Sequence, residues 1–520
     1  MEPGLNDILS KGLRLRPNGD AIGIADGSII LSFSRLQETV ESFAQHLHAA
    51  GIRPGDLVTL VMPSSVEFVI AFMALTWVRA IAAPMNPDYK EAEFEFLIGD
   101  QGAVAVIDIP GDGANLNARR AAERLNLPVW EAVWEDTRQG LSLGGVQPVG
   151  EPVQASLVAP EGDDVALFLH TSGTTSKPKG VPLTHQNVMT SVRNIIRTYE
   201  LGETDRSILV MPLFHVHGLM AGLLAPLAAG GSVYLTSTGR FSASDFWNEM
   251  LRWDANWYTA VPTIHQILVG RYDKDYPKDR PPRLRFIRSC SSPLAQSVLD
   301  DMEEKFHAPV LEAYAMTEAA HQMTSNPLPK NGPHKPGSVG RGQNVRVAIF
   351  DDQMTALAPR QIGEICVQGD NITSGYRNNP KANEEAFSGG WFHTGDQGYL
   401  DDEGYLFITG RIKELINRGG EKISPSKIDE ALLAHPAVAE AISFGVPDLK
   451  YGEEVNAAIV LKPGATATSE ELTEFCLKRL AAFQVPKRYF FANSLPKTGS
   501  GKIQRKQVSE QFIAREPTAS

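Results

Sequence analysis

The ten residues Thr171–Gly180, TSGTTSKPKG, concentrate the groups needed to hold a chain of phosphates. Such a loop requires backbone N–H groups free to turn inward, hydroxyls as extra donors, and a cation. Thr171, Ser172, Thr174, Thr175 and Ser176 supply hydroxyls, Gly173 and Gly180 supply backbone freedom, and Lys177 and Lys179 supply charge. The segment lacks the GxxxxGK[ST] pattern, so it is not a Walker loop. The bland alternative, a flexible linker of small polar residues, does not explain two lysines set between a β-rich run and a helical one.

Further along lie four more segments with chemical potential: YAMTE (Tyr314–Glu318), FHTGD (Phe392–Asp396), GRIKELINRGG (Gly410–Gly420) and PKTGSGK (Pro496–Lys502). Taken singly, each has an ordinary reading. Glu318 is an exposed charge, Asp396 a turn residue beside Gly395, and Lys502 a solvated turn lysine. Taken together and in order with Thr171–Gly180, they resemble the motifs of the adenylate-forming superfamily, which includes acyl-CoA synthetases, luciferases and peptide-synthetase adenylation domains. The resemblance spans most of the chain.

That resemblance implies an α/β fold with a large N-terminal domain of stacked β-sheets and helices, residues 1–410. A small, mobile α+β domain, residues 411–520, follows. It implies that ATP activates a carboxylic acid as an acyl-adenylate and that the acyl group then passes to coenzyme A. The nucleotide would be held by Thr171, Ser172, Gly173, Thr174, Thr175, Lys179, Glu312, Ala313, Tyr314, Thr317, Asp396, Arg411 and Lys502. Thr317 and Glu318 would meet the α-phosphate and Mg2+, a hard cation suited to carboxylate oxygen. Asp396 would accept from the ribose hydroxyls, and Arg411 would hold ribose or phosphate. Lys502 would bridge the attacking carboxylate and the α-phosphate, two anions that must approach one another. Lys413 matches the hinge position. Gly419 and Gly420 would let the pantetheine arm of CoA pass close to the backbone once the small domain has turned.

Longer strings narrow the comparison. MPLFHVHGL, RFIRSCSSPL, EAYAMTEAAHQMTSNPLP and NGPHKPGSVG resemble the plant and fungal oxalate–CoA ligases, a group near the 4-coumarate–CoA ligases. The acyl pocket implied by the match is polar, contributed by His215, His217, Ser289, Ser291 and His321. A hydroxycinnamate would want apolar and aromatic walls, whereas the second carboxylate of oxalate needs donors, because an unpaired buried carboxylate is very costly. Arg288 would add charge near the pocket or serve as an ion-paired structural residue. HVH (His215–His217) lacks the carboxylate or cysteine companions of a metal site. Other acids (malonate, acetate, a medium-chain fatty acid, 4-coumarate) are the competing substrates. A nucleotide-binding regulator without catalysis is the competing class.

These residues need a scaffold that brings distant segments together. At 520 residues, and roughly 150 residues per domain, the chain has room for several cores. With 42% hydrophobic and 21% charged residues, it can bury them without disulfides. Short β-rich runs at Asp56–Met62, Ala103–Ile109, Val165–Leu169, Ile208–Pro212, Val233–Leu235, Trp257–Ala260 and Arg285–Ser289 alternate with helical patterns such as Phe33–Gly51, as in a mainly parallel sheet. Residues 140–163, rich in Gly and Pro, read as a surface loop. From Gly363 the pattern turns to strands and hairpins, with DDEG as a tight turn. The net charge of −12 argues against nucleic acid or anionic membranes as partners. The longest apolar stretch, Phe68–Trp77, is too short to span a membrane. Three scattered cysteines fit a reducing, cytoplasmic setting. The expected oligomeric state is a monomer or weak homo-oligomer.

Overall fold

A computed structural model describes residues 4–135, 140–145, 158–171, 178–499 and 501–513. Among these residues the N-terminal part builds two large sheets around shared helices. One has nine strands, in the order Arg341–Gly342, His321–Ser325, Val310–Met316, Phe286–Cys290, Trp257–Ala260, Arg206–Leu209, Ser232–Leu235, Asp20–Ile24 and Ile30–Ser32. Its central strands run parallel and its two ends are antiparallel. The other has seven strands and is centred on Leu57–Leu60, Ile81–Pro84 and Ala105–Asp108, also parallel.

The helix Val66–Trp77 has no polar face, and every residue from Phe68 to Thr76 is buried. An all-round apolar helix must be covered on all sides, and this one packs against strands of both sheets. Ser65 caps it, accepting from the Phe68 N–H at 3.3 Å. The amphipathic helix Phe33–Ala49 turns Leu36, Val40, Phe43 and Leu47 into the same core. Its N-cap is Ser32, 3.2 Å from the Arg35 nitrogen.

Two details differ from the sequence reading. Gly140–Gly144 is a strand paired antiparallel with Val129–Glu135, so the loop read over residues 140–163 begins with an edge strand. Strand Val165–His170 is followed by a second strand, Gly180–Thr184, before the helix His185–Tyr199. Thr171 and Lys179 therefore lie at the end of a hairpin as well as on the approach to a helix. Thr184 and Asn187 close a reciprocal N-cap at that helix.

A four-stranded antiparallel sheet, Arg346–Phe350, Gly363–Gln368, Phe392–Leu400 and Leu406–Arg411, comes next. The hairpin predicted at DDEG joins its last two strands. The remaining residues form a five-stranded sheet with its own cores under the helices Pro425–Leu433, Ser469–Leu477 and Arg505–Ile513.

Candidate active site

The site lies where the C-terminal ends of the nine-stranded sheet meet the antiparallel sheet and the turn carrying Lys502. Strand pairing sets Asp396 directly opposite Arg411. Arg411 Nε donates to Asp396 Oδ1 at 2.8 Å, and the Tyr314 hydroxyl donates to Oδ2 at 2.5 Å. Burial, with the Asp396 charge adding to it, pushes the Tyr314 hydroxyl far above its usual range, so it stays a donor. Burial works against the Arg411 charge, but Asp396 outweighs it and the pKa is raised. The result is a buried carboxylate held rigidly by a phenol and a guanidinium.

The turn before Asp396 has its own support. Glu364 accepts from the Gly395 N–H at 3.1 Å and lies 2.8 Å from His393 Nδ1, while Ser388 lies 2.9 Å from His393 Nε2. Cys366 completes this cluster, its thiol pushed up to about 12 by burial and then by Glu364.

Glu318 occupies a short 3-10 turn, Thr317–Ala319, that ends the Val310–Met316 strand. It is buried, its Oε1 accepts from the Tyr376 hydroxyl at 2.8 Å, and burial raises its pKa. Arg411 and Lys179 are the nearby positive charges that oppose this rise. Lys179 Nζ lies 4.4 Å from the Tyr376 ring centre, a cation–π contact that holds the end of the Val165–Thr184 hairpin near Glu318. Thr171 and Lys179 close that hairpin, with Thr171 N–H to Lys179 O at 2.9 Å and Lys179 N–H to Thr171 Oγ1 at 3.1 Å. Ser172, Gly173, Thr174 and Thr175 lie outside the described residues. Glu312 is buried beside Gly337, and burial pushes its carboxyl up to about 8. Ala313 is buried between the strands Phe286–Cys290 and His321–Ser325.

Lys502 reaches the same place from the far end of the chain. Thr498 N–H donates to Lys502 O at 2.8 Å and Lys502 N–H to Thr498 Oγ1 at 3.1 Å, closing the turn. The turn rests on the N-terminal part: a Cβ at Gly499 would meet Asn86 and Phe214, and one at Gly501 would meet Thr263 and Val261. Lys502 keeps an exposed face while protein surrounds it on its other sides. That desolvation, and then the Arg411 charge, lower its pKa.

Beside it lies a group of histidines. His215 feels Lys502, and burial first and Lys502 second bring its pKa down to about 4. His217 begins a π-helical segment, His217–Leu224, rather than lying on a strand. Gly218 allows the approach: a Cβ there would sit 2.6 Å from the Met211 oxygen and nearer still to that of Pro212. His217 stacks on His321, centres 5.2 Å apart, and both are fully buried. Neither His321 nitrogen, nor the Ser289 hydroxyl, has a partner among the described residues. Ser291 (φ 77°) and His321 (φ 98°) hold left-handed backbone conformations, strain of the kind found at binding sites.

The fold thus brings together Tyr314, Glu318, Asp396, Arg411, Lys179 and Lys502, and next to them His215, His217, Ser291 and His321. Gly419 (φ 59°) and Gly420 (φ 92°) form a turn packed near Tyr451, and Lys413 lies in the exposed segment Ile412–Glu414. Sequence reasoning missed Tyr376, Tyr199, Thr259 and Gln322, which hold the site residues by side-chain hydrogen bonds. Nothing in their immediate neighbours marks them, because their partners are remote in sequence.

Two α/β sheets thus set Lys179, the Asp396–Arg411 pair and the turn carrying Lys502 beside one another. The family model AMP-binding enzyme matches residues 14–377, and that for the AMP-binding enzyme C-terminal domain matches residues 427–502. The chain belongs to the AMP-binding enzyme family. Oxalate–CoA ligase of Arabidopsis thaliana is 49% identical, covering 98% of this chain and 99% of that protein. Oxalate–CoA ligase of Saccharomyces cerevisiae is 46% identical over 88% of this chain and 87% of that one. Among solved structures, ATP-bound MatB from Rhodopseudomonas palustris superposes with a TM-score of 0.87 at 28% identity, covering 98% and 99% of the two chains. The apo form of MatB gives 0.77 over the same coverage.

Proposed function

We propose that this enzyme makes oxalyl-CoA from oxalate, ATP and CoA through an oxalyl-AMP intermediate, releasing pyrophosphate and then AMP, and that it serves oxalate degradation. The observation that carries the choice of acid is the polar group of His217, His321 and Ser291, in which neither nitrogen of the buried His321 has a partner among the described residues. Buried polar groups are nearly always paired, so the cluster fits a ligand that brings acceptors. A small dicarboxylate does so. The oxalate–CoA ligases among the relatives support the same choice.

In the first half-reaction one oxalate carboxylate oxygen attacks the α-phosphorus of ATP and pyrophosphate leaves. Asp396 accepts from the ribose hydroxyls, Arg411 and Lys179 face the phosphates, with Thr317 beside them, and Lys502 stands between the attacking carboxylate and the α-phosphate. Ser172, Gly173, Thr174 and Thr175 complete the phosphate cradle. Glu318 keeps acceptor capacity beyond its Tyr376 bond, which fits Mg2+, an ion that would neutralise phosphate charge when bound. In the second half-reaction the CoA thiolate attacks the oxalyl carbonyl and AMP leaves. For that step residues 411–520 turn about Lys413 and bring Gly419 and Gly420 to the site in place of Lys502. The closer superposition on the ATP-bound form of MatB than on its apo form supports reading the present arrangement as the adenylate-forming one. A cytoplasmic monomer or weak homo-oligomer belongs to the same reading; the three cysteines are free thiols.

The deciding experiment follows AMP and pyrophosphate release with CoA and Mg2+ present, comparing oxalate, malonate, acetate, octanoate and 4-coumarate. Oxalate is expected to give the highest kcat/KM. If oxalate ranks below the monocarboxylates, this choice of acid is wrong. If no acid supports pyrophosphate release, the chain is a nucleotide-binding regulator instead.

A further inference from the structure

Arg288 is fully buried, and among the described residues no carboxylate lies within ion-pair distance of it. None of its partners is a carboxylate: Tyr199 Oη at 2.9 Å, Thr259 Oγ1 at 3.2 Å, Gln322 Oε1 at 3.1 Å, His217 Nε2 at 3.3 Å and the Cys290 thiol. A buried cation without a counter-ion is expensive. A fold that keeps one invites an anion from outside.

The hydrogen bonds around it also have a fixed direction. A guanidinium has N–H groups and no acceptor, so the His217 nitrogen facing it, Nε2, must present its lone pair. Thr259 Oγ1, which accepts from Arg288, lies 2.6 Å from the same Nε2 and directs its own hydrogen there. A proton on Nε2 would point at the Arg288 N–H, which has no lone pair to receive it. Burial, then the Arg288 charge, holds the His217 pKa far below its usual value, so the ring is neutral and its single hydrogen resides on Nδ1. Nδ1 lies 3.1 Å from Ser291 Oγ. Ser291 therefore accepts from His217, and its own hydrogen is left to point elsewhere. Ser291 is only half-buried, and its φ of 77° fixes where that hydroxyl sits.

We propose that Arg288 is a positioning and specificity residue for the second, unreacted carboxylate of the substrate: it supplies the buried counter-charge and, through Thr259, fixes His217 as the Nδ1–H form, so that Ser291 offers its hydroxyl hydrogen to that carboxylate. This rests on the oxalate reading and adds a direction to it: a chain of donors, Arg288 to His217 to Ser291 to anion. Arg288 touches no reacting atom. It makes the far end of the pocket a place where a negative charge is stabilised and a neutral group leaves donors unpaired.

The test compares oxalate with glyoxylate, in which an aldehyde replaces the second carboxylate, using acid-dependent ATP–pyrophosphate exchange. In the unaltered enzyme oxalate is preferred. In Arg288→Met the oxalate-to-glyoxylate ratio of kcat/KM is expected to fall by about tenfold to a hundredfold, mainly through the KM for oxalate, with the KM for ATP unchanged. Arg288→Lys, which keeps a charge but not the planar fork, is expected to restore part of the ratio. An unchanged ratio in a folded Arg288→Met enzyme overturns the proposal. Should that variant not fold, the unaltered enzyme still decides the matter. Nitrogen NMR of protein labelled at histidine, with His217 assigned by His217→Gln, must show the Nδ1–H form, and the Nε2–H form overturns the assignment. Failure of the unaltered enzyme to use oxalate would instead sink the choice of acid, leaving the NMR result to judge the donor chain.

Discussion

Replacing Lys502 by alanine separates the two half-reactions. Lys502 lies in a turn closed by its own backbone and the Thr498 hydroxyl, and its side chain forms no ion pair among the described residues. Its removal should therefore leave the fold intact, with stability changed by less than about 0.5 kcal/mol, as for other exposed positions. The charge itself matters at one moment, when carboxylate and α-phosphate approach. A positioned donor at a developing charge contributes about 2.7–4 kcal/mol, or roughly 10²–10³ in kcat. The open face of Lys502 admits water and places the estimate at the lower end. ATP–pyrophosphate exchange should thus fall by about a hundredfold or more, while thioester formation from supplied acyl-adenylate and CoA stays within about threefold of the unaltered enzyme. The lowered pKa adds a signature: the adenylation rate should decline on the alkaline side before the ordinary lysine range is reached, because the charged form is lost early. Equal loss in both half-reactions would refute the reasoning, since Lys502 would then act through the fold or through domain docking.

Glu312 offers a pH test with a definite sign. Its carboxyl is pushed up to about 8 by burial, so it stays protonated in the fold while the unfolded chain loses that proton near pH 4.5. The destabilisation therefore grows from about pH 5 to pH 8, and Glu312→Gln should gain in stability relative to the unaltered chain across that window, by on the order of 2 kcal/mol at its upper end, read as a rising melting-temperature difference. A gain that does not change with pH would count against the buried, protonated carboxyl. Gly218→Ala should cost about 2 kcal/mol or more, because its Cβ would overlap the Met211 and Pro212 carbonyl oxygens. It should also raise the KM for oxalate by displacing the neighbouring His217. A melting temperature within one degree of the unaltered enzyme would mean that this helix start has room to shift.

Much of the fold was legible because its signals are local. The all-apolar helix Val66–Trp77, the amphipathic helix Phe33–Ala49 and the strands Trp257–Ala260 and Phe286–Cys290 appear where the hydrophobic pattern puts them. The strand Gly180–Thr184 was not legible, because five residues with a proline in the middle offer no periodicity. Nor was Gly140–Gly144, whose edge pairing comes from Val129–Glu135 and not from its own glycine-rich composition. Arg288 shows the limit most plainly: from sequence an arginine at a strand end reads more often as an ion-paired structural residue than as a pocket charge, and the fold gives it Tyr199, Thr259 and Gln322 instead of a carboxylate.

The sequence alone determined which chemical groups are present and their order along the chain: hydroxyls and lysines in one loop, a glutamate, an aspartate, and a final lysine in a glycine turn. Those choices rest on residue type and short-range spacing, which a linear string contains in full. Tertiary structure decided which of the groups meet and in what state. Strand register set Asp396 opposite Arg411, burial held Tyr314 and Glu312 protonated, and packing left Arg288 with no carboxylate partner among the described residues. Register, desolvation and the direction of a hydrogen bond depend on residues 15 to 89 positions apart in these examples, so they exist only once the chain has folded.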